Sequence, residues 1–149
     1  MLSTTDKMIF LRRVSLFGGM ALEQLRVLSA HLAEHHYLPD EVVFSEGDFS
    51  QDLYIVISGE IAIIKDYGSP YKRVLNTLYG GDFFGEMAIF EGAARSATAV
   101  TRSESELLIL PPEKFKQTLY QKPDMAFEIF RELSARIRRR EEELSEEHL

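Results

Sequence analysis

An acidic and a basic side chain flank a short apolar segment in residues 80–98, which read GGDFFGEMAIFEGAARSAT. Glu86 directly follows Gly85, and Arg95 precedes a strand-like run over 96–100. Glycine permits positive φ and close approach of the backbone, so the free amides after Gly85 can face a ligand. A carboxylate accepts a hydrogen bond from a hydroxyl group, and a guanidinium binds a phosphate in a bidentate fork. The pair therefore suits a ligand that is both hydroxylated and anionic.

The same two residues also suit a structural role, an ion pair that closes the loop between them. Residue types and spacing alone favour that structural role over a binding site. Nucleophilic catalysis has little support, because the chain has no cysteine and no G-x-S-x-G motif. No histidine lies between Tyr37 and Glu147, which excludes the histidine-rich metal site of a cupin. We therefore predict no catalytic residue, no metal, no cofactor and no enzymatic activity.

Two groups of residues around Glu86 and Arg95 fill every position of a known binding motif. They are Phe84-Gly85-Glu86-Met87-Ala88-Ile89 and Arg95-Ser96-Ala97. The segment resembles the phosphate-binding cassette of cyclic-nucleotide-binding domains, the superfamily of the catabolite activator and the protein kinase A regulatory subunit. Further similarities precede it in the same order, at Phe44, 46–48, 53–60 and 81–83. The resemblance covers roughly residues 10–140, nearly the whole chain.

The resemblance implies a role for each cassette residue. Glu86 is expected to bind the ribose 2′-hydroxyl and Arg95 the cyclic phosphate, while the backbone amides around the cassette glycine bind the remaining phosphate oxygens. The resemblance favours cyclic AMP over cyclic GMP as the expected ligand, because Ser96 rather than threonine follows Arg95. The expected ligand-binding residues are Phe84, Gly85, Glu86, Met87, Ala88, Arg95, Ser96 and Ala97, with Val74, Leu75 and Arg140 as candidates for contact with the base.

The secondary structure that must position these residues changes along the chain from helix to strands and back to helix. Leu22, Leu25, Leu28 and Leu32 recur at helical spacing, which predicts an N-terminal helix over about 20–36. Strand-like runs then alternate with turn residues, at 41–44, 53–57, 60–66, 73–78, 96–100 and 106–110. Together with the resemblance, this pattern predicts an α+β, mainly β, fold: an eight-stranded antiparallel β-roll over about 37–110. Helices over about 112–147 complete a single domain of residues 1–149.

The last helix is predicted to be long, because no glycine or proline occurs from Met125 to Glu147. Apolar residues recur there at spacings of four and three, with Arg140 as the one polar member of the seam. Packing on its own domain and pairing with a twin helix in a homodimer over 125–147 are both compatible with this pattern. We expect ligand binding to rearrange this helix and so signal to an effector protein that the sequence does not identify.

Charge and histidine content bear on the remaining partners. A net charge of −7 and the acidic residues 141–143 argue against direct DNA binding, although several arginines precede them. We expect no helix-turn-helix output domain after the long helix, so the chain reads either as a freestanding regulator or as the sensor part of a longer regulator, channel or kinase. A protein-interaction module that has lost ligand binding is a further alternative.

His31 and His35 share a face of the predicted N-terminal helix, as a pair of metal ligands would. Solvated histidines at the end of a helix are nevertheless favoured over a metal site. No segment is apolar enough for a membrane span or signal peptide, so a cytoplasmic protein is expected.

Overall fold

Eight antiparallel strands form two four-stranded sheets that face each other, which confirms the predicted β-roll. The computed structural model describes residues 1–147; His148 and Leu149, the end of the predicted domain, lie outside the described residues. The first sheet has the order β1-β8-β3-β6 and the second β2-β7-β4-β5. The strands are β1 Ala33–Tyr37, β2 Val42–Phe44, β3 Leu53–Ser58, β4 Ile61–Lys65, β5 Arg73–Leu78, β6 Phe83–Phe84, β7 Thr98–Thr101 and β8 Ser105–Leu110.

Strand β3 is buried on both faces, which explains its continuous apolar sequence. Leu53 and Ile55 pack into a cluster shared with the helices. Tyr54 and Val56 point the other way, into the cluster enclosed between the two sheets. Because side chains alternate along a strand, β3 joins the helical layer to the interior of the roll.

Two α-helices and a short 3₁₀ helix precede the roll, and of these only the helix at Leu22–Ser29 was predicted. Helix α1 spans Thr4–Arg13 and begins with a capping box between Ser3 and Asp6. A short 3₁₀ helix, Ser15–Phe17, buries Leu16 and Phe17. Helix α2 spans Leu22–Ser29.

The predicted helix over 20–36 is too long, because its last four residues belong to strand β1. Residues Ala33–Tyr37 pair antiparallel with β8, with His36 opposite Glu106. The helical spacing of the leucines continued to Leu32, and this concealed the turn at Ala30 and His31. His31 and His35 therefore lie in a turn and a strand, so the helical face that suggested a metal pair does not exist. Within residues 1–147, no cluster of three or more metal-ligating side chains is present.

The two C-terminal helices match the prediction. Helix α4 spans Pro112–Gln121 and has proline at its first position, where the missing N–H costs nothing. Helix α5 spans Asp124–Glu147, 24 residues. Its first half buries Met125 and Ile129 against the 3₁₀ helix and the first sheet, whereas its second half is largely exposed. No described helix is long and apolar enough to cross a membrane.

Candidate functional site

The segment between β6 and β7 folds into a short helix that begins at a left-handed glycine. Helix α3 spans Glu86–Glu91, and Gly85 precedes it with a φ of 90°. A Cβ atom at Gly85 would lie 2.9 Å from Nη1 of Arg95 and 2.9 Å from the carbonyl oxygen of Asp52. Both the backbone conformation and the close approach of Arg95 therefore require glycine at this position.

The Arg95 side chain is buried beneath helix α3, with 4% of its surface exposed. Nη1 donates to the Gly85 carbonyl oxygen at 2.7 Å, Nη2 to the Asp52 carbonyl oxygen at 2.8 Å, and Nε to the Ser50 hydroxyl at 3.3 Å. The guanidinium carbon lies 4.2 Å from the centroid of the Phe44 ring. Three neutral acceptors and an aromatic face thus fix the position of the cation.

No carboxylate of residues 1–146, whose side chains the structure describes, lies within ion-pair distance of the Arg95 guanidinium. Burial lowers the pKa of Arg95, while the more distant charges of Asp52, Asp48 and Glu86 raise it. Tyr54 cannot serve as a counter-ion, because burial raises the pKa of its phenol to about 12. A buried cation without a contacting anion is costly, so this position favours an anionic ligand.

The loop-closing ion pair between Glu86 and Arg95 does not form. Glu86 is 5% exposed, and its Oε1 atom lies 3.4 Å from Nη1 of Arg136, a residue of helix α5. Burial raises the pKa of the Glu86 carboxyl, whereas its own backbone N–H, Arg136 and Arg95 lower it. The acid and the base of the cassette are therefore held apart, each with its own partners, and both border the same cavity.

The cavity has a volume of about 170 Å³ and lies between helix α3, the second sheet and helix α5. Every cassette residue expected to bind ligand borders it. Its lining consists of Phe44, Ile63, Asn76, Leu78, Phe84, Gly85, Glu86, Met87, Ala88, Glu91, Ala94, Arg95, Ser96, Ala97 and Arg136. Ser96 is exposed at the rim, while the neighbouring Ala97 is buried.

The residues expected to contact the base lie elsewhere. On strand β5 the cavity is bordered by Asn76 and Leu78, while Val74 is 56% exposed and lines neither this cavity nor its neighbour. Leu75 and Arg140 border an adjacent depression that shares Asn76 with the cavity. The alternation of side chains along β5 explains why Asn76 and Leu78, rather than Val74 and Leu75, border the cavity. A bulge opposite Ile63 and Ile64 shifts the register of β5 by one residue.

Arg136 is the functional candidate that sequence reasoning missed. It lines both the cavity and the adjacent depression, and its side chain is 22% exposed. Arg136 stands in a run with three further arginines at 138–140, so its residue type carried no distinguishing signal. Its position one turn before Arg140 places it above Glu86, whereas Arg140 points to the exposed depression.

Comparison with known proteins agrees with this geometry. The profile of the family "Cyclic nucleotide-binding domain" matches residues 34–122, more than half of the chain. The chain belongs to the cyclic nucleotide-binding domain family. The matched segment runs from strand β1 to the end of helix α4 and therefore includes the whole cassette.

Sequences similar to this cyclic nucleotide-binding domain occur in proteins of different kinds. The chain is 31% identical over 129 residues to the "Cyclic AMP receptor protein" of Thermus thermophilus, covering 87% of this chain and 60% of the relative. It is 32% identical over 111 residues to "Potassium channel AKT2" of Oryza sativa subsp. japonica, covering 74% of this chain and 13% of the channel. The crystal structure of Thermus thermophilus catabolite activator protein superposes with a TM-score of 0.75 at 30% identity, over 88% of this chain and 62% of that one. The chain thus spans about three fifths of the cyclic AMP receptor protein and a small part of the channel.

Proposed function

We propose that this domain is a sensor that binds a cyclic nucleotide, with cyclic AMP as the principal ligand. The observation that carries the proposal is the Arg95 guanidinium, which is buried at a cavity and has no contacting carboxylate among the described residues. A cyclic phosphate supplies one negative charge there. The ribose supplies a hydroxyl for Glu86, which borders the same cavity.

Arg95 retains the donors that a bidentate phosphate contact needs. A guanidinium has five N–H groups, and contacts with described residues use one on Nε, one on Nη1 and one on Nη2. One N–H therefore remains on each terminal nitrogen, the arrangement that binds two phosphate oxygens in parallel. The backbone amides of Met87, Ala88 and Ala97, whose residues border the cavity, complete the proposed phosphate site.

The choice of base rests on weaker contacts than the phosphate. Ser96 lies at the cavity rim and carries the shorter hydroxyl side chain that led us to favour cyclic AMP over cyclic GMP. Asn76 and Leu78 replace Val74 and Leu75 as the β5 residues proposed to face the ligand, and Arg140 stays at the edge of the adjacent depression. Relatives whose names specify cyclic AMP support the same choice.

Signalling requires that the ligand favour one position of helix α5 over another, because a ligand with equal affinity for both shifts nothing. Helix α5 contributes Arg136 to the cavity, and its second half is exposed. We propose that the ligand changes the position of this half, and that the change is read by an effector protein. The relatives' names describe a receptor protein, a transcriptional regulator and a channel, which supports a regulatory role rather than an enzymatic one. A cytoplasmic location, expected from the sequence, remains part of the proposal.

The effector surface that we propose is the outward face of helix α5. Phe130, Ile137 and Leu144 are exposed and stand seven residues apart, the spacing of a coiled-coil seam. A second copy of the chain is the proposed occupant, through the helix 125–147, with no contact to DNA. Sedimentation velocity with and without cyclic AMP tests this: a monomer in both conditions removes the homodimer and leaves a different effector protein or a covalently attached output domain.

A ligand series tests the proposed function. Thermal unfolding is recorded with cyclic AMP, cyclic GMP and adenosine at equal concentrations, because a ligand that binds the folded state raises the midpoint. We expect the largest rise with cyclic AMP, a smaller one with cyclic GMP and none with adenosine, which has the base and ribose without the phosphate. The absence of a shift with both cyclic nucleotides would refute the proposal.

A further inference from the structure

Ser50 contacts the Arg95 guanidinium without bordering the cavity. Nε of Arg95 donates to the Ser50 hydroxyl at 3.3 Å, and Ser50 does not line the cavity. Ser50 belongs to the loop 45–52, which joins β2 to β3. Backbone hydrogen bonds hold this loop to Arg95. The Arg95 N–H donates to the Asp48 carbonyl oxygen at 2.7 Å, and the Gly47 N–H donates to the Arg95 carbonyl oxygen at 2.8 Å. The serine hydroxyl is therefore a fixed neighbour of the proposed phosphate anchor.

Ser50 is exposed, although the arginine that it contacts is buried. Residues 48–52 form neither a helix nor a strand, and the neighbouring Phe49 is 82% exposed. An exposed hydroxyl on an irregular loop is accessible to a modifying enzyme. Asp48 and Asp52 stand on either side of Ser50, so an enzyme with a basic substrate groove complements this segment.

A phosphate group on Ser50 would place an anion beside a buried cation that contacts no carboxylate of residues 1–146. Phosphoserine carries a charge of about −1.5 to −2 at neutral pH and accepts strong hydrogen bonds from arginine. The cyclic phosphate of the proposed ligand needs the same guanidinium. Because two anions would then share one cation and repel each other, each lowers the affinity for the other.

We propose that Ser50 is a phosphorylation site, and that its modification lowers the affinity of this domain for cyclic nucleotides. The inference rests on the proposed function and adds a covalent control to it. In the reaction, the Ser50 hydroxyl oxygen attacks the γ-phosphorus of a nucleoside triphosphate that a protein kinase holds. A new phosphorus–oxygen bond forms and the bond from that phosphorus to the bridging β-phosphate oxygen breaks. Nucleoside diphosphate and the hydroxyl proton are released.

Isothermal titration of cyclic AMP tests the effect of charge at this position. The proteins compared are the parent, the same chain with phosphoserine incorporated at position 50 during synthesis, Ser50→Asp and Ser50→Asn. Asparagine has the shape of aspartate without its charge and is therefore the matched control. We expect the dissociation constant to rise about tenfold with phosphoserine and about threefold in Ser50→Asp, and to stay within about twofold of the parent in Ser50→Asn.

Two further comparisons separate local charge from other causes. Ser45 is an exposed residue of the same loop, and Arg95 makes no hydrogen bond to its side chain, so Ser45→Asp should bind within about twofold of the parent. Salt screens repulsion between the two anions, so the ratio of the dissociation constants of Ser50→Asp and the parent should shrink between about 0.05 M and about 0.5 M sodium chloride. A ratio that salt leaves unchanged would show that the substitution distorts the loop instead.

Phosphopeptide mapping of the full-length protein isolated from its own cells tests whether the modification occurs. We expect a phosphorylated fraction at Ser50. A Ser50 that is unmodified in growing and in resting cells would overturn its assignment as a phosphorylation site.

The outcomes separate the inference from the proposed function. Equal affinities of the phosphoserine protein and the parent, or equal losses in Ser50→Asp and Ser50→Asn, would overturn the inference while cyclic AMP binding by the parent stands. A parent protein without affinity for cyclic AMP would refute the proposed function itself, and the inference with it.

Discussion

Nη1 of Arg95 lies 2.7 Å from the carbonyl oxygen of Gly85, the residue whose left-handed backbone begins helix α3. This contact joins the two ends of the cassette, so the glycine and the arginine depend on each other. The carbonyl oxygen of Gly85 can face the guanidinium only because no Cβ atom occupies the space between Arg95 and Asp52.

Gly85→Ala should damage both binding and stability. Its Cβ atom would lie 2.9 Å from Arg95 Nη1 and from the Asp52 carbonyl oxygen, so the guanidinium must move away from the proposed phosphate site. We expect affinity for cyclic AMP to fall at least about tenfold. We expect the free energy of unfolding, measured by urea titration, to fall by about 1–3 kcal/mol.

Gly68→Ala is the matched control for that change. Gly68 has a φ of +87°, similar to Gly85, but an added Cβ atom would meet nothing within 4 Å. Gly68→Ala should lose only the stability that alanine costs at a positive φ. It should bind cyclic AMP with the affinity of the parent protein. Equal affinities of the two variants would contradict the role assigned to the Gly85 contact.

Glu86→Gln should stabilise the free protein and weaken its ligand binding. Burial raises the pKa of Glu86 in the folded state, so the ionised carboxylate costs stability at neutral pH. That cost disappears as the pH falls through the raised pKa of Glu86 in the folded state towards its pKa in the unfolded state. The Glu86 carboxylate of the folded protein is then protonated, so no charge is left buried. The stability advantage of the variant in urea titrations should therefore be larger at pH 7 than at pH 5. Glutamine still accepts a hydrogen bond, so we expect cyclic AMP to bind about five- to tenfold more weakly. A variant less stable than the parent at pH 7 would contradict this account.

His36 should make the stability of the roll depend on pH in the same sense as Glu86, with stability falling as the pH rises. It lies between Glu106, to which its Nδ1 is hydrogen-bonded, and Glu104, 3.0 Å from its Nε2. The hydrogen bond with Glu106 raises the pKa of His36, and the charges of Glu104 and Glu41 add to this effect. The stabilisation is therefore fully present below the unfolded pKa of about 6.5 and is lost as the pH rises through the folded value.

The variant His36→Gln tests this expectation by thermal unfolding across pH. It should be less stable than the parent at pH 6, and the difference should shrink steadily towards pH 9. His31→Gln, in the turn between α2 and β1, is the control, because its position is away from these two carboxylates. A difference for His36→Gln that stays constant with pH would show that packing, rather than charge, explains the effect of the substitution.

The sequence was informative where function and local structure depend on neighbouring residues. The cassette from Phe84 to Ala97 is continuous enough for its glycine, acid and arginine to be recognised together, and the structure brings them to one cavity. Helix α5 was predicted to run from Met125 to about Glu147, within one residue of the observed start at Asp124, because it contains no residue that ends a helix. Strand β1 was missed, since its pairing partner β8 lies about seventy residues later and a helical leucine pattern runs up to it.

Contacts between elements that are far apart in the sequence could not be predicted from the residue pattern. Arg136 and Arg140 differ by one helical turn, and only the rotation of helix α5 against the roll decides which one meets Glu86. The same is true of Asn76, which replaces Val74 and Leu75 at the cavity because a bulge between β4 and β5 shifts the register. Val74, Leu75 and Arg140 stay predictions, and where each lies relative to the cavity depends on packing geometry between elements rather than on residue type.

The most direct test of cyclic nucleotide binding is an isothermal titration of cyclic AMP into the parent protein and into Arg95→Ala. Hydrogen bonds to charged groups contribute about 1.5–3 kcal/mol each, so the buried guanidinium accounts for a large part of the affinity. We predict one site per chain with a dissociation constant in the micromolar range or tighter, and a loss of about tenfold or more in the variant. An absence of binding heat in the parent, or equal affinities in the two proteins, would contradict the assignment of this cavity to a cyclic nucleotide.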